Sequence, residues 1–108
     1  PSTVPRLFDG QLPELNIGTF DGGSCDLSMQ QRIVTIAAES GYSSVLNGRF
    51  KGGYITRHYG SPEDGVHSVQ LEIAQRAYMN ETTLAYDESK SCRLQETLRK
   101  MLAACTIP

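Results

Sequence analysis

Residues 14–46 read ELNIGTFDGGSCDLSMQQRIVTIAAESGYSSVL, and three kinds of segment follow one another within them. Glu14 to Thr19 is a short, partly apolar run held between Pro13 and the turn Asp21-Gly22-Gly23, the pattern of a strand. Asp26 then stands as an N-cap, and Met29, Ile33, Ile36 and Ala37 follow at helical spacing. Gly41 sits where a C-cap glycine would, so the pattern predicts a helix over 27–40. Ser44 to Leu46 reads as a second short strand. A strand, a helix and a strand in that order set the expectation of an α/β sheet.

Working outward, Val66 to Ile73 (VHSVQLEI) alternates, with His67, Val69, Leu71 and Ile73 on one face and Val66, Ser68, Gln70 and Glu72 on the other. That predicts a third strand. Ala74 to Asn80 is expected to form a helical turn or short helix. Asp87 is expected to start a last helix, with Leu94, Leu98, Met101 and Leu102 as its apolar seam up to about Ala104. Pro1 to Gly10 reads as an irregular entry segment. Three strands make a thin sheet, so further strands are expected outside these residues, and the chain is not expected to fold alone. It begins at Pro1 rather than Met, which suggests a piece processed or cut from something longer.

Between the second and third strands lies NGRFKGGYITRHYGSPEDG, residues 47–65, with five glycines, four basic residues counting His58, and three aromatic residues. Only Tyr54-Ile55-Thr56 looks like strand there. Loops of this length are uncommon in compact domains and are usually functional or disordered. The aromatic and basic content argues for function.

The chain has 108 residues, room for one domain, and roughly two-thirds of its unfolded surface can be buried at that size. Apolar residues are 39%, and the ten glycines bring the chain into the ordinary globular range. A net charge of −2 gives no basic footprint for nucleic acid. No apolar run is long enough to span a bilayer, and no signal peptide is visible. Cys25, Cys92 and Cys105 are odd in number and far apart, which argues against a disulfide framework or a cysteine zinc site and fits a reducing cytoplasm.

Glu72 is the first residue with chemical potential. A carboxylate on an inner strand is costly to bury without partners, and such a placement would raise its pKa and suit a general base. The alternative is a solvated polar face. Arg49 and Arg57, with Asn47 beside Arg49, come second: arginine forks match carboxylates in pairs, and flanking glycines let backbone approach a ligand closely. His58 and His67 are the only histidines and have no ligand spacing between them, so no metal site is expected within this chain. His67, on the face of Val69 and Leu71, reads as a satisfied core or near-site histidine. No GxSxG, P-loop or GxGxxG motif is present.

NGRFKGGYITRHYG followed by GVHSVQLEIAQRAYM resembles the signature region of the N-formylglutamate amidohydrolases, and PRLFDGQLPELNIGT and DGGSC resemble that family's middle region. The resemblance runs from Val4 to about Arg99 and is densest from Leu46 to Met79. It implies hydrolysis of N-formyl-L-glutamate to formate and L-glutamate in histidine breakdown. It implies a mixed-sheet fold similar to zinc carboxypeptidases and aspartoacylases, of which residues 1–108 would be the C-terminal part of a single domain. It also implies zinc, or another divalent metal, whose ligands lie upstream and outside this chain. Carried over residue by residue, Glu72 resembles the general base, Asn47 and Arg49 resemble an Asn–Arg pair that grips a substrate carboxylate, and Arg57 suits the second carboxylate. The partners so implied are the small-molecule substrate and the rest of the same enzyme. An amidohydrolase for another N-acyl acidic amino acid, and a non-catalytic carboxylate-binding module, are the competing readings.

Overall fold

The strand Leu15–Gly18, β1, is buried at all four positions, and the chain is arranged around it in a computed structural model that describes residues 1–107. Leu15 and Ile17 are among the largest fully enclosed side chains. Each contributes about 1.5–3 kcal/mol by leaving water. From β1 the chain turns through 19–26 into the helix Leu27–Glu39, α1, and returns as the strand Ser44–Leu46, β2. β2 lies parallel to β1 with Ile17 opposite Leu46. The strand Gln70–Ile73, β3, lies antiparallel on the other side, with Leu15 opposite Ile73, Asn16 opposite Glu72 and Gly18 opposite Gln70. The order is β2-β1-β3, a mixed sheet in an α/β arrangement.

Register decides what each face does, because side chains alternate. Leu15, Ile17, Leu71, Ile73 and Leu46 pack toward α1 and the last helix, Glu88–Cys105, α3. Met29, Ile33 and Ala37 of α1 meet Leu94 and Met101 of α3 over that face. Asn16, Gly18, Gln70 and Glu72 share the opposite face, away from α1 and α3.

Several expectations change. Tyr54-Ile55-Thr56 is not strand but the start of a short helix, Tyr54–Tyr59, α2. Its residues favour strands, yet Thr56 is buried against the loop and glycines at both ends let the chain turn in and out. The third strand is shorter than its alternating pattern. Val66 bonds back to Ser61, and Ser68 is held by Ser24 through Ser68 N to Ser24 O at 2.8 Å and Ser24 Oγ to Ser68 O at 2.7 Å. Only 70–73 is free to pair with β1. After β3 the 3-10 turn Gln75–Ala77 is the helical turn expected there, but it is followed within the same segment by a small hairpin, Met79–Asn80 (β4) against Ala85–Tyr86 (β5). A further 3-10 turn covers Pro62–Asp64. The α3 seam is Leu94, Thr97, Met101 and Ala104, with Leu98 partly buried against the core as expected; Leu102 is 69% exposed. Among the described residues no helix is long and apolar enough to cross a membrane.

Candidate functional site

The open face of the sheet is crossed by one segment, the glycine-rich loop 47–53. An added Cβ at Gly18 would lie 2.7 Å from Lys51 C and 2.9 Å from Gly52 N, so backbone passes directly over β1. Phe20 N donates to Lys51 O at 2.7 Å, and Gln70 Oε1 accepts from Gly53 N at 2.7 Å. Gly18 and Gln70 point to the same face as Glu72. The loop, the start of α2 and Glu72 are thus gathered on one side, toward the C-terminal ends of β1 and β2.

Asn47 leaves β2 with φ 51°, a left-handed conformation that asparagine tolerates. Its Oδ1 accepts from Thr19 N at 2.8 Å and its Nδ2 donates to Thr19 Oγ1 at 2.9 Å. Thr19 is fully enclosed, and its Oγ1 also meets Gln30 Oε1 at 2.7 Å and accepts from Gly22 N at 3.2 Å. The amide of Asn47 therefore ties the ends of β1 and β2 together, and one of its N–H groups is left over. Arg49 follows on the exposed part of the loop. Arg57 is exposed on α2, its Nε donating to Gly53 O at 3.3 Å. Among the described residues neither arginine is in an ion pair; the only pairs are Lys51 with Asp21 at 3.4 Å and His67 with Asp26 at 3.7 Å.

Glu72 is exposed, because β3 is an edge strand among the described residues and nothing in them covers its outer face. The inner-strand burial expected for it is not present in this chain. Its neighbour across the ladder, Asn16, is 2% exposed. Asn16 Nδ2 donates to Pro13 O at 2.9 Å and Glu72 O at 3.3 Å, while its Oδ1 has no partner. With two carbonyls facing Nδ2, the amide orientation is settled by chemistry.

Sequence reasoning missed Thr19, Asn16 and Gln70. For Gln70 the alternation already placed it on the face of Glu72. For Thr19 the only signal is its position between a strand and a glycine turn.

Both histidines have close neighbours, His67 at the start of α1 and His58 on α2. His67 Nδ1 accepts from Asp26 N at 3.1 Å, which closes the first turn of α1, and this is the satisfied histidine expected. Asp26 sits at the N-cap position as expected, but its side chain makes no cap bond. His58 stacks on Tyr54 with ring centres 4.7 Å apart. Among the described residues no group of three His, Cys, Asp or Glu could hold a metal ion, so these residues do not fit a zinc site by themselves.

The model of the N-formylglutamate amidohydrolase family matches residues 1–79, most of the chain. The chain belongs to the N-formylglutamate amidohydrolase family. Similar family members include N-formylglutamate deformylase of Pseudomonas putida, 52% identical over 95% of this chain and 39% of the relative. The N-formylglutamate deformylase of Pseudomonas aeruginosa strain PAO1 is 54% identical over 94% of this chain and 41% of its own length. The chain therefore spans about two-fifths of the curated relatives it matches. Among solved structures, an N-formylglutamate amidohydrolase from Ralstonia eutropha JMP134 superposes with a TM-score of 0.76 at 26% identity, covering 90% of this chain and 35% of that one. The family model ends at the first residue of β4 and stops short of β5 and α3, whereas the Pseudomonas relatives carry the likeness over nearly the whole chain.

Proposed function

We propose that this chain is the C-terminal part of a single amidohydrolase domain that hydrolyses N-formyl-L-glutamate to formate and L-glutamate, a cytoplasmic step of histidine breakdown. The observation that supports this most is the docking of loop 47–53 over Gly18, which gathers Asn47, Arg49 and the start of α2 on the face that carries Glu72. The family relatives, two of them deformylases, supply the substrate.

In this reading Arg49 and Arg57 bind the two carboxylates of the glutamyl group as forked pairs, and the spare N–H of Asn47 adds a third donor. Two fixed anion contacts orient the formyl carbon, and orientation alone can supply several kcal/mol. Glu72 removes the proton from the attacking water as the C–O bond forms. It then passes that proton to the leaving nitrogen as the C–N bond breaks. The zinc expected from the family resemblance is proposed to be held by ligands outside this chain, and the fold around it to be of the zinc-carboxypeptidase and aspartoacylase kind.

The test is formate release from N-formyl-L-glutamate by the Glu72→Gln enzyme. Turnover should fall by about 10²–10⁴-fold, the usual contribution of a general acid–base group, with KM nearly unchanged. Turnover at the level of the parent enzyme would remove Glu72 from the mechanism.

A further inference from the structure

At the opposite end of the sheet, where β1 and β2 begin, lies a cleft of about 220 Å³ lined by Glu14, Tyr42, Arg76, Ala77, Lys90 and Arg93. Glu14 leads into β1, Tyr42 precedes β2, Arg76 lies in the turn after β3, and Lys90 and Arg93 are one turn apart on α3. Asn47 and Arg49 leave the other end of β2, so this cleft is separate from the candidate site.

Three cations and one carboxylate line the cleft, and Asp87 lies close enough to Lys90, and Glu96 to Tyr42, for their charges to act there. Among the described residues no ion pair includes any of the three; the two pairs present involve Lys51 and His67. Glu14 is already engaged, its Oε1 accepting from Ser43 N at 3.1 Å and Ser43 Oγ at 3.4 Å. Arg76 Nη1 is out of solvent with no acceptor. A guanidinium N–H enclosed without a partner is costly. The other two cations are held in place. Lys90 Nζ donates to Arg76 O at 3.3 Å, and Arg93 stacks over the Tyr42 ring at 4.6 Å. Gly41, at φ 84°, leaves room for that guanidinium, since a Cβ there would sit 3.1 Å from Arg93 Nη2.

We infer that this cleft binds a small oxyanion dianion, of which hydrogen phosphate is the simplest. The cations outnumber the one carboxylate that lines the cleft, and the ligand's several oxygens supply the acceptors that the arginine forks lack. The volume excludes a bulky ligand, since sites for drug-sized molecules occupy about 300–1,000 Å³. Arg93, held over the Tyr42 ring, presents its fork without first having to be ordered.

Titration calorimetry of the protein with inorganic phosphate tests this, with sodium chloride and sodium acetate at matched ionic strength as controls. One phosphate should bind per chain, and acetate, a monoanion with two oxygens, should bind more weakly. Arg93→Gln and Lys90→Gln, both at exposed positions on α3, should each weaken phosphate at least tenfold, with the far-UV circular dichroism unchanged. Arg49→Gln should leave phosphate affinity as it is. Phosphate heats no larger than those of chloride would overturn the inference. So would phosphate binding that is lost in Arg49→Gln and kept in Arg93→Gln, which would place the anion in the substrate clamp instead. Should Arg93→Gln unfold, Lys90→Gln alone decides between these outcomes.

Discussion

Gly18 shows what a single residue does for the candidate site. Its φ is ordinary, so glycine is needed there for space and not for conformation. A Cβ would press on Lys51 C at 2.7 Å and Lys51 O at 2.9 Å, both backbone atoms that cannot rotate away. Gly18→Ala should therefore lower stability by about 1–3 kcal/mol, the usual penalty of overpacking. It should also lift the loop that carries Arg49 and raise KM for N-formyl-L-glutamate more than it lowers kcat. Urea unfolding and steady-state kinetics on the same variant measure both, and an alanine that melts and binds like the parent would mean the loop does not rest on β1. Asn47 stood out in the sequence because Asn-Gly-Arg begins a glycine-rich loop. Its partner Thr19 did not, since a buried hydroxyl with three partners looks like any threonine until the chain has folded. Glu72 and Gln70 were legible as one face from the alternation alone; their exposure was not, because it depends on what lies beyond the strand.

Among the elements, the two main helices and the first two strands follow their patterns within a residue or so: 27–40 expected against Leu27–Glu39, and 44–46 as observed. Long periodic runs and caps carry enough local information to do this. Short elements do not. Tyr54 to Thr56 has strand-favouring residues yet turns helical, since Gly52 at φ 129° turns the chain in and Gly60 packs where a Cβ would lie 2.6 Å from Ser24 Cβ. Met79 and Asn80, which form β4, fall at the end of the 74–80 segment expected to turn helically, because the pairing of the hairpin depends on tertiary anchors. One is Ser2, whose hydroxyl donates to Glu81 in the hairpin loop; the other is Asp87, which caps α3 by accepting from Lys90 N at 2.9 Å. Both carboxyls are held below their ordinary range, Glu81 first by the Ser2 hydroxyl and Asp87 first by the Lys90 N–H. A carboxyl whose pKa is lower folded than unfolded adds stability above its unfolded pKa and loses it as pH falls through its folded one. The melting temperature should thus fall as the solution is acidified through and below the normal carboxylate range, and Asp87→Asn, which keeps a capping oxygen but cannot ionise, should flatten that dependence. Thermal melts across the acid range decide it: an equally steep fall in Asp87→Asn would take Asp87 out of the acid response.

The molecule as a whole measures 45 × 31 × 20 Å. A depth of 20 Å is that of one helix layer on one sheet, since a helix is roughly 10–12 Å across and layers pack about 10 Å apart. α1 and α3 cover one face and the loop 47–53 part of the other, while β2 and β3 both present unpaired edges among the described residues. The helix side is not fully closed either: an apolar cleft of about 280 Å³ opens between Leu71 of β3 and Leu98, Met101 and Leu102 of α3. How far the packed core protects itself can be read from its thiols. Cys25 is 2% exposed, and burial, with the charge of Asp26 adding, pushes its thiol pKa up; Cys92 and Cys105 are exposed on α3. Alkylating agents attack the thiolate, so a buried thiol with a raised pKa reacts only when the core opens. Iodoacetamide at mildly alkaline pH should add two groups quickly and a third slowly, and digestion with mass spectrometry should place the slow one on Cys25. Ile33→Val removes one methyl from the core beside it and should cost about 0.5–1.5 kcal/mol. If opening limits the reaction, that loss speeds the third addition roughly two- to tenfold and leaves the first two alone. Cys25 reacting as fast as Cys92 in the parent protein would show that the helices and sheet do not close over it, and the core described here would have to be redrawn from its N-terminal turn.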